Sequence, residues 1–346
     1  MSYGLRTYNA AGVITSDPTL RPGGFFVGTL HAPGGSTVSQ TYADVTPGTL
    51  RVYQATRGYH TPSVSGNTVT LTPTGTSGHR DSLAAIFTTK PVEPTYGISV
   101  FNNFGDLQFS TKYPSPEYLG RVTLGAGVYK GKVASGHNRT EWFTASVPGA
   151  GRTRMILWII PDGWTNLWWK TSYSYISGTS GCGIDAYYGD RVPVTPPQGL
   201  VFALDGITAS ASNYGIRVFD GAGGLTFDGG LRHWNLTSFT PGFSYPNWVI
   251  PGIPVEESYP IYNPFVLNVA EGIPANAAIF FSDFQQEKQV TGSYSEYVGV
   301  IQRKGNNVYG GRIETYRTSS TDPVFNREYG QRLDIPMPIV DGSLYT

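Results

Sequence analysis

Cysteine is all but missing from this chain: Cys182 is the only one in 346 residues. A single thiol excludes an internal disulfide, implies no oxidising compartment, and cannot assemble a thiolate metal site. Charge is scarce too. Lys, Arg, Asp and Glu make up 14% of the residues, against roughly a quarter in an average domain. The 24 basic residues balance 24 acidic ones. No basic footprint points to nucleic acid, and a chain with no net charge does little to repel its own copies. Long apolar runs are also lacking: the longest, Met155 to Ile160, is far too short to span a bilayer. Met1-Ser2-Tyr3-Gly4 enters a strand pattern at once, so no secretory signal is read there.

Glycine (44), proline (25) and aromatic residues (14%) are plentiful. Gly and Pro break helices and mark turns, while the aromatic content argues against disorder. The expectation is an all-β chain, with Asp283 to Lys288 as the best short helix candidate.

One pattern recurs three times without a gap. Tyr3-Gly4-Leu5 leads to Tyr8-Asn9, Gly12 and Ile14. Tyr96-Gly97-Ile98 leads to Phe101-Asn102, Gly105 and Leu107. Tyr214-Gly215-Ile216 leads to Phe219-Asp220, Gly223 and Leu225. The pattern has a physical reading as a β-hairpin. A short alternating strand ends at Asn or Asp, whose side chain can bond the backbone two residues on. Gly three residues later takes the left-handed conformation that closes a type I turn with a bulge. A second strand follows.

Successive copies lie too far apart for a solenoid repeat or propeller blade, but at the size of a β-sandwich. The predicted organisation is three tandem β-sandwich-like modules, each opened by a hairpin: 1–92, 93–211 and 212–346. The boundaries fall in Lys90-Pro91-Val92-Glu93-Pro94 and Thr208-Ala209-Ser210-Ala211-Ser212, both suited to linkers. Short apolar strands precede them at Ala84 to Phe87 and Leu200 to Ala203. Asn67 to Thr72 alternates strictly, Arg154 to Ile160 reads as a central strand, and Ala277 to Phe281 as a buried one.

Catalytic constellations are weak. The histidines His31, His60, His79, His137 and His233 include no pair at metal-ligand spacing. His79-Arg80-Asp81-Ser82 gathers triad residue types, but triad members converge from separate elements, so a solvated turn is the better reading. Glu256 and Glu257, as neighbours, would point to opposite faces of a strand. Gly125 to Gly131 resembles a phosphate loop only loosely, with no helix pattern after it. Asn138-Arg139-Thr140 and Asn235-Leu236-Thr237 fit the glycosylation acceptor pattern by chance. Neither a catalytic nor a metal-ligating residue is assigned, and no cofactor is implied.

The aromatic segment Trp164, Trp168, Trp169, Tyr173 and Tyr175 carries the candidate surface contact. Such residues can stack on sugar rings or anchor an interface. The competing reading packs them into the core of the second module. On a single strand, Trp164 and Trp168 would share one face, with Trp169, Tyr173 and Tyr175 on the other.

The opening Met1-Ser2-Tyr3-Gly4-Leu5, with Tyr8-Asn9-Ala10-Ala11-Gly12, resembles the start of siphophage minor tail proteins. The ending Asp334-Ile335-Pro336-Met337-Pro338-Ile339-Val340-Asp341-Gly342 is similar to that of phage tail and tail-tip proteins. The resemblance covers the two ends and, through the recurring hairpin, the module starts; it fixes no binding residue. It implies a structural role at a virion tail tip, baseplate or tail fibre, made in the host cytoplasm and released by lysis. The partners implied are other tail proteins, further copies of the chain (a trimer, by analogy with tail symmetry) and a host receptor or glycan. An array of receptor- or carbohydrate-binding modules is the alternative. A polysaccharide depolymerase is disfavoured by the short chain and the lack of a carboxylate pair.

Overall fold

The computed structural model describes residues 5–8, 11–12, 14–16, 19, 21–22, 24–54, 60–73, 81–92, 99–132, 139–161, 167–171, 175–177, 181–188, 195–212, 215–236, 238–239, 265–267, 276–280, 284–290, 293–318, 325–330 and 338–345. The fold is all-β. Among these residues the sole helical element is a 3-10 turn, Gly342–Tyr345. Of the helix candidate at 283–288, the described residues 284–288 belong instead to the strand Phe284–Val290, paired on both sides. Backbone bonds from two neighbours outweigh the weak helix preference of so short a segment.

Four sheets carry the core. An outer sheet orders Val38–Thr41, Thr68–Pro73 and His60–Ser65. A second orders Phe25–Ala32, Ser82–Thr88 and Leu50–Gln54. The central sheet runs Glu117–Thr123, Gln198–Ala203, Thr153–Ile159, Ala277–Ile279, Pro338–Asp341, Ser238–Phe239, with Tyr175–Ser177 also on Thr153–Ile159. The broad sheet runs Val128–Lys132, Arg139–Ser146, Gly181–Tyr188, Leu167–Thr171, Ser293–Lys304, Phe284–Val290, Phe325–Gly330. Asn307–Thr318 pairs with Ser293–Lys304 and carries Phe265–Leu267.

Alternation along the strands explains the layering. In Ser82–Thr88, Ala84 and Ile86 join one apolar cluster with Val69 and Leu71 of the outer sheet. Ala85 and Phe87 point the other way, into a cluster with Met155, Leu157, Leu200 and Phe202 of the central sheet. Ile156, Trp158 and Val201 leave the opposite face of the central sheet to meet Phe143, Trp169, Cys182 and Ile184 of the broad sheet. The inner strands of these two sheets, such as Ser82–Thr88 and Thr153–Ile159, are buried on both faces, which is why they read as continuous apolar runs. Arg154 to Ile160 is central as expected: Thr153–Ile159 pairs with both Gln198–Ala203 and Ala277–Ile279.

A shared order links the three stretches of chain. After each hairpin the next strand of these sheets pairs with the last strand of its stretch, which pairs with a middle one: Phe25–Ala32 with Ser82–Thr88 and Leu50–Gln54, Glu117–Thr123 with Gln198–Ala203 and Thr153–Ile159, Ser238–Phe239 with Pro338–Asp341 and Ala277–Ile279. In the first two stretches the register slips at an aromatic-aliphatic-Gly step, Phe26/Gly28 and Tyr118/Gly120. The same aromatic meets a Phe of the closing strand, Phe26 on Phe87 at 5.5 Å and Tyr118 on Phe202 at 5.7 Å.

The sheets nevertheless cross residue 212. Trp158 pairs with Ile279, and Trp169 with Ile301, so strands from 93–211 and 212–346 share the central and the broad sheet. The small-residue segment Thr208 to Ser212 is pinned along its length: Thr208 N donates to Glu117 Oε2, Ser210 N to Asp228 Oδ2, and Ser212 O accepts from Arg217.

Candidate functional site: the three-hairpin cluster

The recurring motif folds as its turn chemistry dictates. Tyr8 pairs with Ile14, Phe101 with Leu107 and Phe219 with Leu225, the same two motif positions each time. Asn102 Oδ1 accepts from Phe104 N at 2.9 Å and Asp106 N at 2.8 Å. Asp220 Oδ1 accepts from Ala222 N at 2.9 Å and Gly224 N at 2.6 Å. Gly105 N and Gly223 N each donate to the backbone oxygen of the turn's first residue at 3.1 Å. Gly12, Gly105 and Gly223 have φ of 75°, 79° and 85°, the left-handed region where a Cβ is strained.

The three hairpins are far apart in sequence and meet in space. Gln108 clamps the first hairpin through its side-chain amide: Leu5 N donates to Oε1 at 2.8 Å, and Nε2 donates to Leu5 O at 3.0 Å. Thr15 Oγ1 donates to Gly229 O of the third hairpin at 2.6 Å. Ser115 N, just past the second hairpin, donates to Thr226 O, and Phe109 stacks on Phe227 at 4.9 Å. Thr15, Gln108 and Thr226 each stand twelve residues after their opening tyrosine, and all three are buried. A polar residue at that position makes or flanks each contact, and the contacts close a ring of second to first, first to third and third to second. The recurring Thr, Gln, Thr at one offset was the sequence signal for it, easily overlooked because no rule marks a buried polar residue before its partner is known.

Polar groups tie the ring to the sheets. Asp228 is buried under Arg217, at 3.0 Å, and accepts from Ser210 and Gly230. Burial pushes its carboxyl up, but these bonds outweigh that and hold it below the usual range. His233 stacks on Phe227 at 4.6 Å and its Nε2 donates to Asp228 O. Burial pushes its imidazole below its ordinary value. Arg152 joins buried Glu117 at 2.9 Å to Asp205 at 3.1 Å.

Each hairpin also carries apolar side chains exposed to solvent. The motif's aromatic residue is half exposed in every copy: Tyr8 51%, Phe101 50%, Phe219 52%. Ile14, Phe104 and Ile216 are exposed beside them. Of the nine exposed large apolar side chains among the described residues, six lie on these hairpins. Isolated exposed apolar residues need no account, but this concentration makes the hairpins the candidate contact region.

The expected aromatic contact segment fares differently. It is not one strand: Trp168 and Trp169 lie in Leu167–Thr171 of the broad sheet, whereas Tyr175 begins Tyr175–Ser177 on the central sheet. Trp169 is 1% exposed and packs on Phe143 at 6.0 Å, so it belongs to the core and not to a surface. Trp164 and Tyr173 lie outside the described residues, as do the side chains of Trp168 and Tyr175.

Some of the other candidates fall among the described residues. Asp81 is exposed and accepts from Gly34 N and lies 3.0 Å from His31, as a solvated turn would. Ser82 is the exception: it is fully buried, with Oγ 2.7 Å from His60 Nδ1, while His60 Nε2 donates to Ser36 O at 2.9 Å. A serine beside a histidine is the nucleophile-and-base pairing, but this serine is sealed between two sheets and no substrate reaches it. Asn235 sits in a strand with its amide on His233 O. His79, Arg80, His137, Asn138, Glu256 and Glu257 lie outside the described residues. Among those described, no group of three His, Cys, Asp or Glu is placed to hold a metal.

No protein-family model, curated protein or solved structure matches the chain.

Proposed function

We propose that this chain is a structural protein of a bacteriophage tail tip, baseplate or tail fibre, without catalytic activity, that holds neighbouring tail proteins in place and contributes to host attachment. The observation that carries the structural role is the hairpin cluster: three copies of one hairpin, braced against each other by buried hydrogen bonds, with the same aromatic residue turned outward from each. That arrangement suits a rigid contact device, which gains affinity because little conformational freedom remains to be lost on docking. The virion setting is supported by the resemblance of the opening and closing segments to siphophage tail proteins. Its partners on this reading are other tail proteins, copies of itself and a host receptor or glycan. A glycan-binding array centred on residues 164–175 is less well supported, because Trp169 is in the core. Electron microscopy of phage particles labelled with an antibody to the chain tests the proposal. Label at the distal tail is the expected result; label on heads alone, or on no part of the virion, would overturn it.

A further inference from the structure

We propose that one chain supplies a complete three-fold ring, and that its hairpins dock on a homotrimeric protein, one chain to a trimer. The inference rests on the fold and not on the virion setting. One interface is used three times. Tyr118 N of the second stretch donates to Arg232 O of the third at 2.8 Å, and Glu117 pairs with His233. At the same distances from the opening tyrosines, Leu236 of the third stretch pairs with Arg21 of the first, and Asn235 with Pro22. Phe26 N of the first, at the same aromatic-aliphatic-Gly step as Tyr118, donates to Pro114 O of the second. The contact runs from first to second, second to third and third to first. A contact between unlike patches that recurs and closes after three steps makes a ring with a three-fold axis.

The members of the ring are copies of one two-sheet unit. Besides its inner strands, each stretch builds an outer triplet in the same order. Val38–Thr41 and His60–Ser65 flank Thr68–Pro73, Arg139–Ser146 and Leu167–Thr171 flank Gly181–Tyr188, and Phe265–Leu267 and Ser293–Lys304 flank Asn307–Thr318. The broad sheet joins the second and third triplets where Trp169 pairs with Ile301. In the inner strands Ile86 pairs with Gly28 and Val52, Val201 with Gly120 and Ile156, and Ile339 with Ser238 and Ile279. The residues next to them, Phe87, Phe202 and Val340, meet in one buried cluster, as equivalent residues do at an axis.

Three-fold equivalence sets Tyr8, Phe101 and Phe219 at one radius and one height around the axis, without requiring that they touch. Their nearly equal exposure fits equivalent surroundings. Turn geometry accounts for the Asn or Asp and the Gly of the motif. It does not account for the ring, because a paired strand position favours β-branched residues as well as aromatic ones. The residue two before the ring differs between copies, being Arg6, Ser99 or Arg217, so what the three share outward is the ring and not a charge. A monomeric partner would engage one copy and leave two rings in water. A homotrimer with one apolar socket per subunit engages all three through one and the same contact, and linked sites gain avidity. A second copy of this chain is not the occupant: the strand positions that join the units are paired within the chain, so the ring closes without it.

Benzoylphenylalanine in place of Tyr8, Phe101 or Phe219, one position at a time in the full chain, tests this by photo-cross-linking in the cells that make the chain naturally. All three positions are expected to cross-link to the same peptide of one other polypeptide. Native mass spectrometry of the purified complex should then give about three copies of that polypeptide per chain. Benzoylphenylalanine at Val128, exposed outside the hairpins, should not give that cross-link. The triple variant Tyr8→Ser, Phe101→Ser, Phe219→Ser should keep the melting profile of the wild type and lower recovery of the complex by about tenfold or more. Cross-links from the three positions to different peptides, to another copy of this chain, from one position only or from none overturn the proposal. So does a ratio other than three to one, or a triple variant that recovers the complex like the wild type. Antibody labelling of particles is read separately, so a failure here leaves the tail assignment standing.

Discussion

The central sheet and the hairpin cluster are built from the same material, short strands rich in aliphatic and aromatic residues, and are held together by opposite means. In the central sheet Met155, Ile156, Leu157 and Trp158 are fully buried, alternate residues going to alternate faces. Its strands are stabilised by apolar area removed from water. In the cluster the apolar residues at the motif's aromatic position point outward, and what is buried between the hairpins includes Thr15, Gln108 and Thr226. Hydrogen bonds with fixed partners hold it, beside the single Phe109–Phe227 stack. Burial tolerates any neighbour of suitable shape, whereas a buried amide needs its own partner. The sheets therefore supply stability, and the cluster supplies a specific shape.

Substitutions separate the two regimes. The largest loss is expected for Trp158→Ala, which removes a fully buried side chain from the central sheet and should cost about 4 kcal/mol in urea unfolding. Next is Gln108→Ala, which strands the N–H and C=O of Leu5 and should cost about 2 kcal/mol. Hydrogen exchange should then show Leu5 and its neighbours losing protection while the central sheet keeps its own. Equal loss in both regions would mean that the cluster is not a separable unit.

His233 gives the comparison a pH axis. Its imidazole is pushed below the ordinary value of 6.5 by burial, so between those two values the unfolded chain binds the extra proton. Stability is full above 6.5 and falls as pH drops through 6.5 toward the folded value, with a slope of at most about 1.4 kcal/mol per pH unit from this group. Urea midpoints measured from about pH 8 down to about pH 5 check it; a flat profile would remove His233 from the account.

Smaller effects come from the turns and the smallest from the outward rings. Gly223→Ala at a φ of 85° should cost about 1 kcal/mol, and Gly223→Asn less, since Asn tolerates the left-handed region. Phe219→Ser, on the solvent side of the same hairpin, should shift stability by less than about 0.5 kcal/mol. Thermal melts of the three variants give the ranking, and a Phe219→Ser loss as large as that of Gly223→Ala would show that the ring is part of the fold.

Much of the local structure was legible. The Asn/Asp-x-x-Gly turns were readable because every bond in them joins residues no more than four apart, as in Asn102 with Phe104 and Asp106. Val69 and Leu71 were readable as an inward face because strand alternation has a period of two. The aromatic segment was not. Five aromatic residues within a dozen positions do not say whether a chain continues as one strand or crosses from one sheet to the other, nor which face of Leu167–Thr171 meets the central sheet, and that packing is what buries Trp169. The strand at Phe284–Val290 was missed for a related reason: its partners on both sides lie beyond the window of any local pattern.

By itself, then, the amino-acid sequence determined an all-β chain with three hairpins of one design, because turn geometry and alternation depend on near neighbours. Only the tertiary structure decided that those hairpins close a ring, that the sheets run on across residue 212, and which aromatic residues face water. Those outcomes rest on pairs such as Leu5 with Gln108 and Thr15 with Gly229, separated by 103 and 214 positions. Contacts between residues so distant follow from how whole sheets bury their faces and complete their edges, and no short stretch of the chain contains that information.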